Sequence, residues 1–167
     1  LSSYPKQLKK EEESYLKKNY NLMAGEYPSN KTDLVLVIDD KNRVDYNVLE
    51  NLGFDTKDKD SIKFSDIIGT EMKIIPNDVF YTPTPAGTYL PGNDYEKMYD
   101  SKDAITVRIT GIVRQNEDEA MALLLPGIAY SDELAEMLID SGKDSEIVKA
   151  QEKSDNNVIT NEKLDEE

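Results

Sequence analysis

At 167 residues the chain has the length of about one domain, enough to bury roughly two thirds of its unfolded surface. Its 34 acidic and 20 basic residues give a formal charge of −14, which repels phosphate backbones and sets nucleic acid aside as a partner. It contains no Cys and no His, so disulfides, thiolate zinc sites, cysteine nucleophiles, Ser-His-Asp triads and HExxH chemistry are all excluded. Carboxylates, Lys, Tyr and Ser are what remain for any catalysis.

The charge is uneven along the chain. From residue 131 to the end 12 acids stand against 4 bases, a net of −8, whereas 5 lysines against 3 glutamates give +2 before residue 25. No run approaches the roughly 18 consecutive apolar residues of a membrane helix, and no signal-peptide pattern is present. The chain opens LSSYPKQ without Met and closes NEKLDEE, which reads as an excised segment or a mature form.

Residues 3–20 are expected to form a helix. Pro5 suits its first turn, Leu8, Tyr15 and Leu16 give a thin apolar stripe, and Glu13 and Lys17 make an i,i+4 pair. The stripe is too sparse for a core helix, so residues 1–24 are read as a surface or juxtamembrane stalk. Residues 34–38, LVLVI, are a continuous apolar run, the pattern of a strand covered on both faces. A short helix over 46–52 is expected to end at Gly53. The charged connector DTKDKDS follows, then one helical turn and a tight bend over 65–69, and a strand over 71–75 closed by Pro76.

Residues 76–103 hold Pro76, Pro83, Pro85 and Pro91 with Tyr81, Tyr89, Tyr95 and Tyr99. The prolines argue against central strands, so this is a long excursion with a hairpin near 80–81 and 88–90. Residues 105–113 give the clearest strand, alternating until Gly111 and then apolar at Ile112 and Val113, which suggests a bulge or a second covered face. A further apolar stretch over 122–128 bends at Pro126-Gly127. Ser131 is expected to cap a helix with Asp132 and Glu133 in its first turn, Leu134, Ala135, Leu138 and Ile139 on its buried face, and Gly142 just past its end. A shorter helix over 144–151 precedes a polar connector, 152–167, of low apolar content. Strands and helices without regular βαβ spacing favour an α+β fold, a small mixed or antiparallel sheet with flanking helices, with its core over 25–151.

Five segments, taken in order, resemble the extracytoplasmic domains of MacB/FtsX-type ABC transporter permeases of the Gram-positive kind. GEYPSNKTDLVLVIDD is similar to their G-x-x-P…E-[IV]-V-[LV] segment, and SDIIGTEMKII resembles the element that follows it. ITVRITGIVR resembles the strand that closes the core, and GIAYSDELAEMLI is similar to a strand-and-helix element. SEIVKAQEKSDNNVITNEK looks like the stretch leading back to the second membrane helix, with Asn161 where Gly is usual. The resemblance covers about residues 24–161. It implies a MacB-like periplasmic-core-type domain on the outer side of the cell membrane, tethered by helices that flank it. It also implies a cytoplasmic ATPase partner, a dimeric transporter, a possible extracytoplasmic protein or peptide partner, and no catalysis or cofactor of its own.

The residues themselves leave other readings open. Asp39 and Asp40 are adjacent on an extended chain and point to opposite faces, which makes them a polar turn rather than a catalytic pair. Asp55, Asp58 and Asp60 miss the positions of a calcium-binding loop, because Lys57 and Ile62 fall where acids are required. Arg108 and Arg114 flank Gly111; Arg108 alternates outward with Thr106 and Thr110 and reads as a surface or sheet-edge residue, with carboxylate recognition as its alternative. Asn30-Lys31-Thr32 fits a glycosylation sequon, with no consequence in a bacterium. Tyr81, Tyr89, Tyr95 and Tyr99 are the candidates for partner contact, since Tyr offers apolar area and a hydroxyl with little rotamer entropy. Their alternative is packing over the prolines of the excursion. A secreted or surface binding module using these tyrosines is the second reading, and a carboxylate-dependent hydrolase the third.

Overall fold

A computed structural model describes residues 1–5, 14–57, 59–117 and 124–164. In chain order its elements are β1 (Ser2–Tyr4), α1 (Tyr15–Asn19), β2 (Tyr20–Gly25), β3 (Asp33–Ile38), α2 (Tyr46–Asn51), α3 (Phe64–Ile67) and β4 (Glu71–Ile74). There follow α4 (Asn77–Phe80), β5 (Tyr81–Pro83), β6 (Tyr89–Pro91), α5 (Tyr95–Tyr99), β7 (Ile105–Gln115), β8 (Gly127–Ser131), α6 (Asp132–Lys143) and α7 (Glu146–Glu152). The chain folds into two compact units, Leu1–Met72 with Val107–Glu136, and Lys73–Thr106 with Met137–Glu167.

The first unit is built on a mixed sheet in the order β1-β8-β3-β7-β2, with β4 also paired to β7. β3 is its middle strand, parallel to β7 and antiparallel to β8, and every residue of β3 is buried. This is why its sequence shows no alternation. Val35 and Val37 join Tyr4, Leu16, Tyr20, Val113 and Ala129 in one buried cluster. Leu34, Leu36 and Ile38 alternate to the other face and are equally buried.

β7 carries the irregularity that Gly111 announces. Leu34 pairs with Ile109 and Val35 with Gly111, so Thr110 is the extra residue of a bulge. Across the other edge of β7, the β2 ladder also slips between Leu22 and Ala24. The two backbones then come unusually close. A Cβ on Gly25, whose φ is +73°, would lie 2.2 Å from Thr110 O, and one on Gly111 would lie 2.3 Å from Glu26 O. Only glycine fits at either position.

The N-terminal segment departs from the expected helix. Among the described residues, helix is confined to Tyr15–Asn19, because Ser2–Tyr4 pairs in parallel with β8 and Tyr20–Gly25 pairs with β7. Leu16 and Tyr20 are buried at 2% and 1% exposure, so these residues sit in the core rather than on a stalk surface. The i,i+4 spacing of Leu16 and Tyr20 mimics a helical stripe, but long-range pairing takes Tyr20 into a strand. Leu8 and Glu13 lie outside the described residues.

α2 ends as expected. Gly53 N–H bonds Glu50 O at 2.9 Å and Phe54 N–H bonds Leu49 O at 3.0 Å, the two reverse bonds of a Schellman cap. The turn at Phe64–Ile67 and the bend at Gly69 are also present.

The second unit contains the β5–β6 hairpin, in which Tyr81 faces Pro91 and Pro83 faces Tyr89. Two strands alone leave each with an outer edge, where Pro costs no ladder bond. α7 is capped from α4 rather than by its own N-cap residue. Ser145 makes no capping bond, while Asp78 Oδ1 accepts from Glu146 N at 2.8 Å. Two expectations are corrected here: Gly142 lies inside the last turn of α6, and Ile139 is 56% exposed. The polar tail is hydrogen-bonded through residue 164. In that tail Val158 is buried, its carbonyl accepts from Tyr89 N at 2.7 Å, and Asn156 bridges Lys163. Side-chain amides at Gln151 and Asn157 satisfy the backbone that apolar content does not hold.

Candidate functional site

The four tyrosines of the excursion all belong to the second unit, but they divide in two. Tyr81 and Tyr89 sit in the hairpin and are half-buried, with the Tyr81 ring edge-on to Phe80 at 4.9 Å. Tyr95 and Tyr99 lie four residues apart on α5, on one face of a single turn, and are 70% and 47% exposed. Leu90, on β6, is also exposed at 57%.

α5 is short, and three local features hold it. Asp94 caps its N-terminus by accepting from Lys97 N at 3.1 Å. Met98 is buried at 6% and lies against Gly92, where a Cβ would come within 3.1 Å of Met98 Sδ and of Phe80 O. Lys73 then closes the far end. Its Nζ donates to Tyr99 O at 2.9 Å and lies 4.4 Å from the centroid of the Tyr99 ring. The cation holds the Tyr99 backbone by a hydrogen bond and its ring by a cation–π contact, and leaves the Tyr95 ring open to solvent. Lys73 has no signal in the sequence, since it stands 26 residues from Tyr99. The set can present aromatic area and phenol hydroxyls to a surface that docks on it.

The Asp39 carboxylate holds the turn that follows β3. Asp39 Oδ1 accepts from Lys41 N at 2.9 Å and Arg43 N at 2.7 Å, and Arg43 Nε reaches Oδ2 at 3.0 Å. Local desolvation pushes the Asp39 carboxyl up, but these hydrogen bonds and the guanidinium outweigh it and hold it below the ordinary range. Asn42 takes the left-handed position of the turn and accepts from Arg114 Nη1 at 2.7 Å. Arg108 is exposed, and its backbone N–H bonds Thr32 O. Asp58 lies outside the described residues, while Asp55 accepts from Lys57 N at 3.0 Å in a local turn. Among the described residues no group of three or more acids could hold a metal ion, and no helix is long and apolar enough to cross a membrane.

Sequence reasoning also missed two buried polar side chains. Asp33, 6% exposed, accepts at one oxygen from Ser29 N, Ser29 Oγ and Asn30 N, closing the PSNKTD turn that feeds β3. Tyr4 is buried where β1 meets β8.

Fold and site together define an α+β chain of two units in which the exposed pair Tyr95 and Tyr99 lies on a clamped helical turn. No protein-family model matches this chain, no curated protein matches its sequence, and no solved structure matches its fold.

Proposed function

We propose that this chain is an extracytoplasmic domain of a MacB/FtsX-type ABC transporter permease and is not an enzyme. The observation that carries the reading is where the five resembling segments fall. They coincide with β3, with α3 and β4, with β7, with β8 and α6, and with α7 and the turn after it. Four of the five include a strand of the one mixed sheet, β3, β4, β7 or β8. In this role ATP-driven closure on the cytoplasmic side moves membrane helices that flank the chain, and the domain passes that motion to a substrate, lipid or protein outside. Tyr95 and Tyr99 supply the contact surface.

The test uses the parent protein in its native host. The parent reading frame is expected to carry an apolar segment before this chain and more after it. The protein is expected in the membrane fraction, with the domain cleaved by protease added to intact cells and an ATP-binding subunit co-purifying. A parent without membrane helices overturns the reading.

A second reading, a secreted or surface-anchored binding module, is favoured by the 70% exposure of Tyr95 on an ordered turn. It predicts a signal or lipoprotein peptide on a free-standing gene, so the same reading frame separates the two.

A further inference from the structure

Tyr4 faces Ser131 across the parallel β1–β8 pair, at 3% exposure. Its hydroxyl is fully buried and meets no hydrogen-bond partner among the described residues. Leaving it so would cost the desolvation of a hydroxyl with no return. Beside it lies a cavity of about 20 Å³ lined by Tyr4, Ser14, Leu16, Pro28, Asn30 and Ser131. The lining is rich in idle protons. Ser14 Oγ accepts from Lys17 N at 3.3 Å and Ser131 Oγ accepts from Leu134 N at 3.3 Å, each capping a helix. Among the described residues neither hydroxyl donates to an acceptor. Burial, and then the carboxylates of Asp33 and Asp132, push the Tyr4 hydroxyl well above its ordinary range, so it keeps its proton at neutral pH.

A buried water needs about 10–15 Å³ and two to four polar partners. We propose that this cavity is a built site for one water molecule, held by Tyr4 Oη and Ser131 Oγ with Ser14 and Asn30 as the remaining polar lining. The volume admits nothing larger. The water accepts from hydroxyls that find no acceptor among the described residues. It thereby fastens β1, a strand of only three residues, to the corner where β8 turns into α6.

The full chain is crystallised to high resolution, and urea unfolding is compared for it and for Tyr4→Phe. Density for an ordered water within hydrogen-bond reach of Tyr4 Oη, together with a lower urea midpoint for Tyr4→Phe, is the expected result. No density there overturns the proposal whatever the variant does. A water peak with a midpoint that rises or stays unchanged in Tyr4→Phe overturns it too, because removing an unsatisfied hydroxyl has that signature. If Tyr4→Phe does not fold, the density in the unaltered protein decides alone.

Discussion

Tyr20 is 1% exposed, and its hydroxyl accepts from Leu124 N at 2.7 Å. Burial pushes this phenol up to about 12, more than the Leu124 N–H lowers it. The unfolded value is about 10. The folded state therefore holds its proton where the unfolded chain has lost it. Stability from this group is complete below about pH 10 and falls as pH rises toward about 12. In a titration followed by tyrosinate absorbance, Tyr20 and Tyr4 are expected to ionise last of the 10 tyrosines, and only as near-ultraviolet dichroism is lost. Ionisation of all ten before unfolding would refute their burial. Gly25 poses a different residue-scale question, of space and backbone angle together. Gly25→Ala places a methyl 2.2 Å from Thr110 O at a φ of +73°, and we expect it to cost about 2–4 kcal/mol in urea unfolding. Gly53→Ala is the matched control, at φ +94° with nothing within 4 Å. It should cost only the left-handed penalty of about 1–2 kcal/mol.

α7 depends for its start on a side chain from another helix. Asp78 accepts from Glu146 N, and the N-cap residue Ser145 is occupied with Gly142 O at 2.6 Å instead. Asp78→Ala is expected to destabilise the chain by about 1 kcal/mol and to speed hydrogen exchange at the Glu146 amide, while Asp78→Asn, which keeps an acceptor oxygen, loses less. An unchanged Glu146 exchange rate would mean that the cap contributes nothing. No reading of the sequence finds this cap, because its two residues are 68 positions apart. The same boundary separates what was legible from what was not. The run at 34–38 was legible because full burial leaves an unbroken apolar signature, and the hairpin because two prolines and a glycine fix where the chain turns. The β7 bulge was legible through Gly111. β2 was not, since residues 20–25 take their conformation from pairing with β7, Tyr20 opposite Gln115. Of the candidate surface, the i,i+4 spacing of Tyr95 and Tyr99 was visible. Their division into a clamped ring and a free one was not, because the clamp is Lys73.

Net charge acts on the whole molecule, and it is not shared evenly between the two units. The first carries 20 acids against 13 bases on 102 residues, and the second 14 acids against 7 bases on 65. Each is therefore −7, but at a higher density in the second. Self-repulsion of this kind weakens the compact state, and salt screens it over a Debye length of about 10 Å at 0.1 M. Raising sodium chloride from about 0.02 M to about 0.3 M is expected to lift the thermal midpoint by about 2–4 °C, the shift that roughly 1 kcal/mol gives in a chain of this length. Potassium chloride should act equally, since screening depends on ionic strength and not on the cation. Exchange should slow more in the second unit, at the Val158 and Tyr89 amides, than in β3, where burial on both faces already sets the rate. A flat response to both salts would show that the acidic side chains are spaced widely enough to be screened by water alone. A response to sodium alone would point instead to a bound cation.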